Sequence, residues 1–154
     1  MKEYIYLKDE LINKGFIINS ITVDAKRGLE EFPVQMCHFH QKMITHRYLT
    51  RRPKLEASQE LKKIVSRLIT TTELRFKNKL DKWYEVHKDF INEKSINSIT
   101  GKEQFTHREL VAAYRSLQKN LPHLFVYKDY HKLQTPNTTN ALDSEVFTQL
   151  KKTY

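Results

Sequence analysis

The chain has 154 residues, enough for one modest domain. It carries 27 Lys and Arg against 18 Asp and Glu, a net charge of +9, and its 11% of aromatic residues argues against a disordered chain. Long apolar runs and a secretory leader pattern are both missing from the sequence, and the single cysteine, Cys37, excludes an internal disulfide. These features predict a soluble protein of a reducing intracellular compartment.

The first 40 residues combine helix and strand patterns. Apolar residues at helical spacing predict a helix over residues 2–13, which Gly15 ends. Residues 16–23 are rich in β-branched side chains and predict a buried strand. A short helical turn over 26–32 and a second, shorter strand over 34–39 follow. The fold class predicted from these patterns is α/β and helix-rich.

Beyond residue 40 the pattern becomes helical. A helix is predicted over 40–50, and an apolar stripe over 61–68 predicts another. A capping box that begins at Thr70 predicts the start of a further helix, because its two side chains can satisfy free backbone N–H groups. Trp83 lies on the apolar stripe of that helix. We expect it in the core of the helical unit rather than on a base-stacking platform.

The last third of the chain predicts two more helices. Residues 93–102 are polar and predict an exposed loop. A second capping box begins at Thr106, and the helix that follows should end near Asn120 because Pro122 forbids continuation. Several residues that favour helix starts then precede a final helix, predicted over 141–152.

Positive charge is locally dense between residues 46 and 54. Four basic side chains there form a candidate DNA-binding cluster: Arg47, Arg51, Arg52 and Lys54. A positive surface attracts nucleic acid because phosphate contacts release counterions. The alternative is a basic surface that is merely solvated, and charge alone does not separate the two.

Carboxylates occupy two positions of chemical interest. Asp24 stands at the carboxyl end of the first predicted strand, where open α/β sheets place their sites. The alternative, which the local sequence favours, is that Asp24 caps the short helix over 26–32. Asp143 and Glu145 lie on the last predicted helix, where an acid also complements the helix dipole. Because they are two residues apart, at most one of them can face a site shared with Asp24.

Cys37 and His40 have the Cys-x-x-His spacing of metal ligands, and His46 follows six residues later. A structural zinc site needs four ligands, and the chain has no second cysteine pair, which argues against one. The alternatives are a small buried Cys37 on a strand and a nucleophilic Cys–His pair, the latter without a flanking motif.

The order of these features resembles the DDE transposases of bacterial insertion sequences related to the Mutator-like group. In that family an acid follows a strand, a Cys-x-x-His motif follows the next strand, and an all-helical insertion precedes the last acid. Asp24, the pair Cys37 and His40, and the Thr- and Asn-rich run over 137–143 carry the resemblance. It implies a partial RNase H-like core over 1–40, a helical insertion over 41–130 and the last helix of the core over 131–154.

The resemblance also implies an activity, DNA transposition and recombination, in which three carboxylates hold two Mg²⁺ ions for cleavage and strand transfer. Asp24 matches the second acid and metal ligand, and Asp143 matches the third, with Glu145 as its substitute. The family's third acid is usually Glu. No residue matches the first acid, so the chain is expected to be a truncated, carboxyl-terminal part of a transposase that is inactive alone.

The resemblance implies DNA as a partner, no membrane, and a bacterial cytoplasmic location at the nucleoid. A second copy of the chain or the amino-terminal part of the same transposase would complete the site. Two other classes of function remain open. One is a small basic helical nucleic-acid-binding protein in which Asp24 and Asp143 only cap helices. The other is a helical interaction module.

Overall fold

The structure is a computed structural model that describes residues 2–24 and 31–139. It is helix-rich, with two small two-stranded sheets, and is therefore a mixed α/β structure. Short 3₁₀ turns cover Leu68–Thr70 and His131–Leu133. The helices and strands in chain order are α1 Lys2–Asn13, β1 Ile21–Val23, β2 Val34–Met36, α2 His38–Leu49, α3 Glu56–Ser66, α4 Glu73–Asn92, β3 Lys94–Ile96, β4 Glu103–Phe105, α5 Arg108–Leu124 and α6 Val126–Asp129.

The chain divides into two compact units. The first unit contains the described residues up to 40 together with those from 122 onward, and the second unit contains residues 41–121. The chain passes from one to the other within α2 and returns within α5. Residues 122–130, which the sequence prediction groups with the helical insertion, therefore pack in the first unit. Over the ranges described, no helix combines the length and the apolar character needed to cross a bilayer.

Helix α1 ends where the sequence predicts. Gly15 has a φ of +85°, a conformation that costs a residue with a Cβ atom about 1–2 kcal/mol. The Gly15 N–H donates to the carbonyl of Ile12 at 2.9 Å, and the Phe16 N–H donates to the carbonyl of Leu11 at 3.0 Å. These bonds satisfy carbonyls that the last turn of a helix leaves open. The predicted helix over 2–13 and its glycine stop are confirmed.

The two predicted strands are shorter than expected. β1 and β2 pair in parallel, with Ile21 opposite Val34. The prediction of a buried strand over 16–23 is wrong before Ile21, where Phe16 is 61% exposed and Ile17 is 86% exposed, and β1 itself is only half-buried. β-Branched residues favour an extended backbone, but a strand also needs a neighbour, and β2 offers only three residues to pair.

The second predicted strand, over 34–39, is wrong beyond Met36, because α2 begins at His38. The Cys37 N–H still donates to the carbonyl of Val23 at 2.8 Å, which closes the parallel ladder. The chain then turns directly into the helix predicted over 40–50, which is confirmed. The short helix predicted over 26–32 falls largely outside the described residues.

The core of the second unit is built from the predicted apolar stripes. Leu61, Val65 and Leu68 are fully buried, and Trp83 is 3% exposed. The Trp83 Nε1–H donates to the carbonyl of Ala57 on α3 at 2.9 Å, so that the indole is both packed and hydrogen-bonded. The prediction that Trp83 lies in the core of this unit is confirmed.

A buried amide joins the first and last parts of the second unit. Gln41 on α2 is fully buried. Its Nε2 donates to the Ser116 hydroxyl at 3.3 Å, and its Oε1 accepts a hydrogen bond from Asn120 Nδ2 at 2.7 Å. Both partners lie on α5. A buried polar side chain costs free energy unless it is paired. Because sliding α2 along α5 would break these bonds and leave Gln41 unpaired, they fix the position of one helix along the other.

Helix α4 is capped by a different threonine from the one predicted. The Thr72 Oγ1 accepts a hydrogen bond from the backbone N–H of Arg75 at 3.3 Å, while Thr70 lies in the preceding 3₁₀ turn. Three consecutive threonines, at positions 70–72, offer the same local signal. The buried side chain of Leu68 fixes the turn, and the helix therefore starts later.

Residues 93–102 are largely exposed as predicted, but the prediction of a loop is wrong for residues 94–96, which form β3. β3 and β4 form an antiparallel hairpin in which Ser95 is opposite Gln104. The Asn97 side chain closes the turn by accepting hydrogen bonds from the N–H groups of Ile99 and Thr100 at 2.9 and 3.0 Å. Asn is favoured at such turns because its side chain mimics a backbone carbonyl.

Helix α5 continues past Pro122 to Leu124, so its predicted end near Asn120 is wrong. Proline removes one helical hydrogen bond, but tertiary contacts fix the last turn. The carbonyl of Leu124 accepts a hydrogen bond from Gln35 Nε2 at 2.9 Å and another from His38 Nε2. All three residues are fully buried. These bonds satisfy a carbonyl that a helix end would otherwise leave without a partner.

Candidate functional site

Three chemically different side chains meet at one edge of the first unit. Asp24 directly follows β1, Cys37 lies between β2 and α2, and His40 is in the first turn of α2. Because β1 and β2 are parallel, their carboxyl ends lie at the same edge. One ligand atom from each of the three residues lies within 4.8 Å of the others. We name this group the Asp–Cys–His cluster.

The cluster is a hydrogen-bonded group that solvent reaches from one side. The Nδ1 atom of His40 lies 2.7 Å from Oδ1 of Asp24, an ion pair when the imidazole is protonated. The side chain of Asp24 is 46% exposed and that of His40 is 27% exposed. Cys37, in contrast, is fully buried. Solvent or a ligand therefore reaches the cluster from the side of Asp24.

The chain returns to this edge after the second unit. Residues 135–139 run beside β1 and the start of α2. Three hydrogen bonds fix them there: Thr135 Oγ1 to Ser20 Oγ at 2.7 Å, Thr22 Oγ1 to the carbonyl of Pro136 at 2.9 Å, and the His38 N–H to the carbonyl of Asn137 at 2.9 Å. More than 80 residues separate the members of each pair, so tertiary structure alone brings them together.

Thr139 completes the surroundings of the cluster. Its N–H donates to Cys37 Sγ at 3.3 Å, and its hydroxyl oxygen lies 3.5 Å from both Cys37 Sγ and Asp24 Oδ1. Burial raises the pKa of the Cys37 thiol, but hydrogen bonds from Thr139 and His40 outweigh burial and lower this pKa to about 7. A substantial fraction of Cys37 is therefore thiolate at neutral pH.

The sequence prediction and the structure overlap only in part at this site. Cys37 and His40 were predicted as a pair, and the structure brings them together with Asp24. Thr139 was predicted only as one of several helix caps. The predicted third acid, Asp143, and its substitute Glu145 lie outside the described residues. Their approach to Asp24 therefore stays a prediction.

The described part of the site does not suit Mg²⁺. This cation takes oxygen ligands in near-octahedral geometry. In the residues that the structure describes, Asp24 is the one carboxylate of the cluster, and the other side-chain oxygens beside it are the hydroxyls of Thr138 and Thr139, next to the sulfur of Cys37 and the imidazole of His40. A magnesium site here would need carboxylates from residues not described.

The predicted DNA-binding cluster lies in the second unit, at the end of α2 and in the turn before α3. Its four side chains are all exposed, and none of them forms an ion pair with a residue of the described part. The backbone between them is held by Lys62, whose Nζ donates to the carbonyls of Thr50 and Arg51. The members are Arg47, Arg51, Arg52 and Lys54.

An open groove of about 440 Å³ adjoins this cluster within the second unit. Its lining includes the ring of Tyr48 and two cationic side chains, Lys54 and Arg108. Aromatic and cationic groups along one groove suit a nucleic-acid strand, since bases stack on rings and phosphates pair with cations. A single acid, Glu109, also lines the groove.

Comparison with known proteins finds no matching family model, no matching curated protein and no matching solved structure.

Proposed function

We propose that the chain belongs to the DDE transposases of bacterial insertion sequences, with an RNase H-like core interrupted by a helical unit, and that it binds DNA. The observation that carries the proposal is the return of residues 135–139 to the carboxyl end of β1 after a separate helical unit. This is the connectivity that the resemblance implies. Thr139 lies beside Asp24 only four residues before Asp143 in sequence.

In this proposal Asp24 and Asp143 are the second and third acids, and Mg²⁺ is the cofactor of the complete site. The chain offers no residue matching the first acid, so we derive no cleavage step from it and expect none. The contribution of this chain is DNA binding, through Arg47, Arg51, Arg52 and Lys54. Their exposure supports this role, because basic side chains without described ion-pair partners can approach phosphates at little cost.

Cross-linking tests the proposed approach of the acids. In a Cys37→Ser background, the double variant Asp24→Cys/Asp143→Cys is treated with a short bis-maleimide. Two metals about 4 Å apart can join carboxylates separated by at most roughly 12 Å, so an intramolecular cross-link is expected. The matched control is Asp24→Cys/Glu145→Cys, since residues two apart on a helix face different directions. Failure of both pairs would refute the acid assignment.

Salt titration tests DNA binding. Fluorescence anisotropy with a labelled duplex should show an affinity that falls steeply with salt, with a slope of about −0.9 for each phosphate neutralised. Neutralising Arg47, Arg51, Arg52 and Lys54 to Gln should reduce the magnitude of this slope by about 3 to 4. The charge-matched control neutralises four other exposed cations of the second unit: Lys63, Arg75, Lys79 and Lys82. An equal loss of DNA affinity and of salt slope in both quadruple variants would show that net charge alone drives binding.

A plasmid assay tests the expected inactivity. The chain is incubated with supercoiled plasmid in Mg²⁺ or Mn²⁺, and no nicking is expected. Metal-dependent nicking that disappears in Asp24→Ala would reveal a further catalytic acid in this chain and refute the expected inactivity.

A second candidate function, a small basic nucleic-acid-binding protein without catalysis, is favoured by the location of the basic cluster. That cluster lies in a compact unit of its own, apart in sequence from Asp24. Salt-sensitive DNA binding together with failure of both cross-linked pairs would favour this candidate.

A further inference from the structure

The Asp–Cys–His cluster offers one sulfur, one nitrogen and one oxygen donor. Zn²⁺ binds Cys, His and carboxylate ligands, whereas Mg²⁺ avoids sulfur. Cys37 is held in place by its N–H bond to the Val23 carbonyl, and His40 lies in the first turn of a regular helix. Two of the three donors therefore stand on fixed backbone.

The distances suit a tetrahedral ion after small adjustments. Ligand atoms about 2.0–2.3 Å from zinc lie roughly 3.3–3.7 Å from one another in a tetrahedron. The cluster atoms all lie within 4.8 Å of one another, and His40 Nδ1 lies 2.7 Å from Asp24 Oδ1. Shifts of about 1 Å, within reach of side-chain rotation, convert one arrangement into the other.

We infer that Asp24, Cys37 and His40 form a three-ligand site for a zinc-type divalent cation, with a fourth position open to water. On binding, the sulfur–metal bond replaces the S–H bond of Cys37, and the thiol proton goes to solvent. Thr139 supports the ligands, since its N–H already donates to the sulfur and its hydroxyl lies beside the carboxylate.

The inference does not rest on the proposed function, because the site would serve a DNA-binding protein without catalysis equally well. If the proposed function also holds, a zinc-type cation and Mg²⁺ compete for the carboxylate of Asp24. The two ideas are tested separately, since cation binding here is measured without DNA.

Cobalt titration of the full chain tests the site. Bound Co²⁺ should give an intense thiolate-to-metal band in the near ultraviolet and the visible bands of a tetrahedral ion, at one ion per chain. Because Cys37 is the only cysteine, that thiolate band can come from no other residue. Zn²⁺ should displace Co²⁺, and Mg²⁺ in large excess should not. X-ray absorption of the zinc form should show one sulfur near 2.3 Å and lighter ligands near 2.0–2.1 Å.

Variants assign the ligands. Cys37→Ser should abolish the thiolate band, and Asp24→Asn and His40→Gln should each weaken cobalt affinity by at least about tenfold. The matched control is His107→Gln, because His107 and Glu93 form a carboxylate–imidazole pair at 3.1 Å in the second unit. Circular dichroism checks that each variant is folded.

Three results would overturn the inference: a wild-type chain without the thiolate band, a band that persists at full affinity in Asp24→Asn and His40→Gln, or displacement by Mg²⁺. A chain that binds Co²⁺ as expected but shows no affinity for DNA would refute the proposed function and leave the metal site standing.

Discussion

Trp83 provides a measurable test of the core of the second unit. Its indole is almost fully buried and packs against Tyr114 and His87, with ring centroids 5.3 and 5.4 Å away. The substitution Trp83→Phe keeps an aromatic ring but removes the N–H that donates to Ala57. The change in stability therefore reports the contribution of the hydrogen bond and of the larger indole ring, while an aromatic side chain stays buried at this position.

The expected loss follows from two contributions of similar size. The lost hydrogen bond costs about 1 kcal/mol. The smaller ring leaves roughly 40 Å³ unfilled, and at about 24 cal/mol per Å³ this costs about 1 kcal/mol more. Trp83→Phe should therefore lower the free energy of unfolding by about 2 kcal/mol. Trp83→Ala should lower it by about 3–5 kcal/mol, a large share of the stability of a small domain.

Urea unfolding of the full chain, followed by circular dichroism at the helix band, measures both losses. The control is Val86→Ala on the same helix, where Val86 is 67% exposed and the expected change is within about 0.5 kcal/mol. A Trp83→Phe variant that loses less than about 0.5 kcal/mol would refute the buried, hydrogen-bonded indole. So would wild-type tryptophan emission at the wavelength of a solvated indole.

Three further substitutions test local features by the same unfolding measurement. Gly15→Ala should lower the free energy of unfolding by about 1–2 kcal/mol because of the positive φ alone, since nothing lies within 4 Å of the added Cβ. An unchanged free energy of unfolding would contradict the left-handed conformation of Gly15. Pro122→Ala should stabilise the chain, by up to about 3 kcal/mol, because α5 already continues through this position and regains a hydrogen bond. Burial, with Lys62 and Lys42 nearby, holds the pKa of His46 below its ordinary 6.5. The unfolded chain therefore binds more protons, and stability should fall as the pH drops below about 6.5; His46→Gln should flatten this dependence, and an unchanged profile would contradict it.

Features with local causes were predictable from the sequence. Gly15 ends α1 because a left-handed residue satisfies the last carbonyls, and that requirement involves only neighbouring residues. The position of Trp83 followed from helical spacing. The prediction that α5 ends before Pro122 is wrong because the end of this helix is fixed by residues that are distant in sequence. The groups that hold the end of α5, Gln35 and His38, lie 89 and 86 residues from Leu124, beyond any local pattern.

At the candidate site, too, the features with local causes were predictable and those that depend on long-range contacts were not. The Cys-x-x-His spacing placed Cys37 and His40 near each other, because four residues at a strand-to-helix junction cannot separate far. Thr139 was not predictable as a neighbour of Cys37, since 102 residues lie between them. Strand length was equally out of reach, because the exposure of Ile17 depends on which residues β2 leaves available for pairing.

The hydrogen bonds of Gln41 bear on the order in which the chain folds. Gln41 and Asn120 begin and nearly end the second unit, so once this unit forms, its two chain ends are held together. A contact such as Gln35 to Leu124 spans 89 residues in an unfolded chain. With the second unit already folded, the effective loop shrinks to about 10 residues, which lowers the entropic cost of closure by about 2 kcal/mol. The folded second unit thus brings together the two chain segments that form the first unit. We expect the first unit to fold afterwards, in a slower kinetic phase whose rate depends on Gln41.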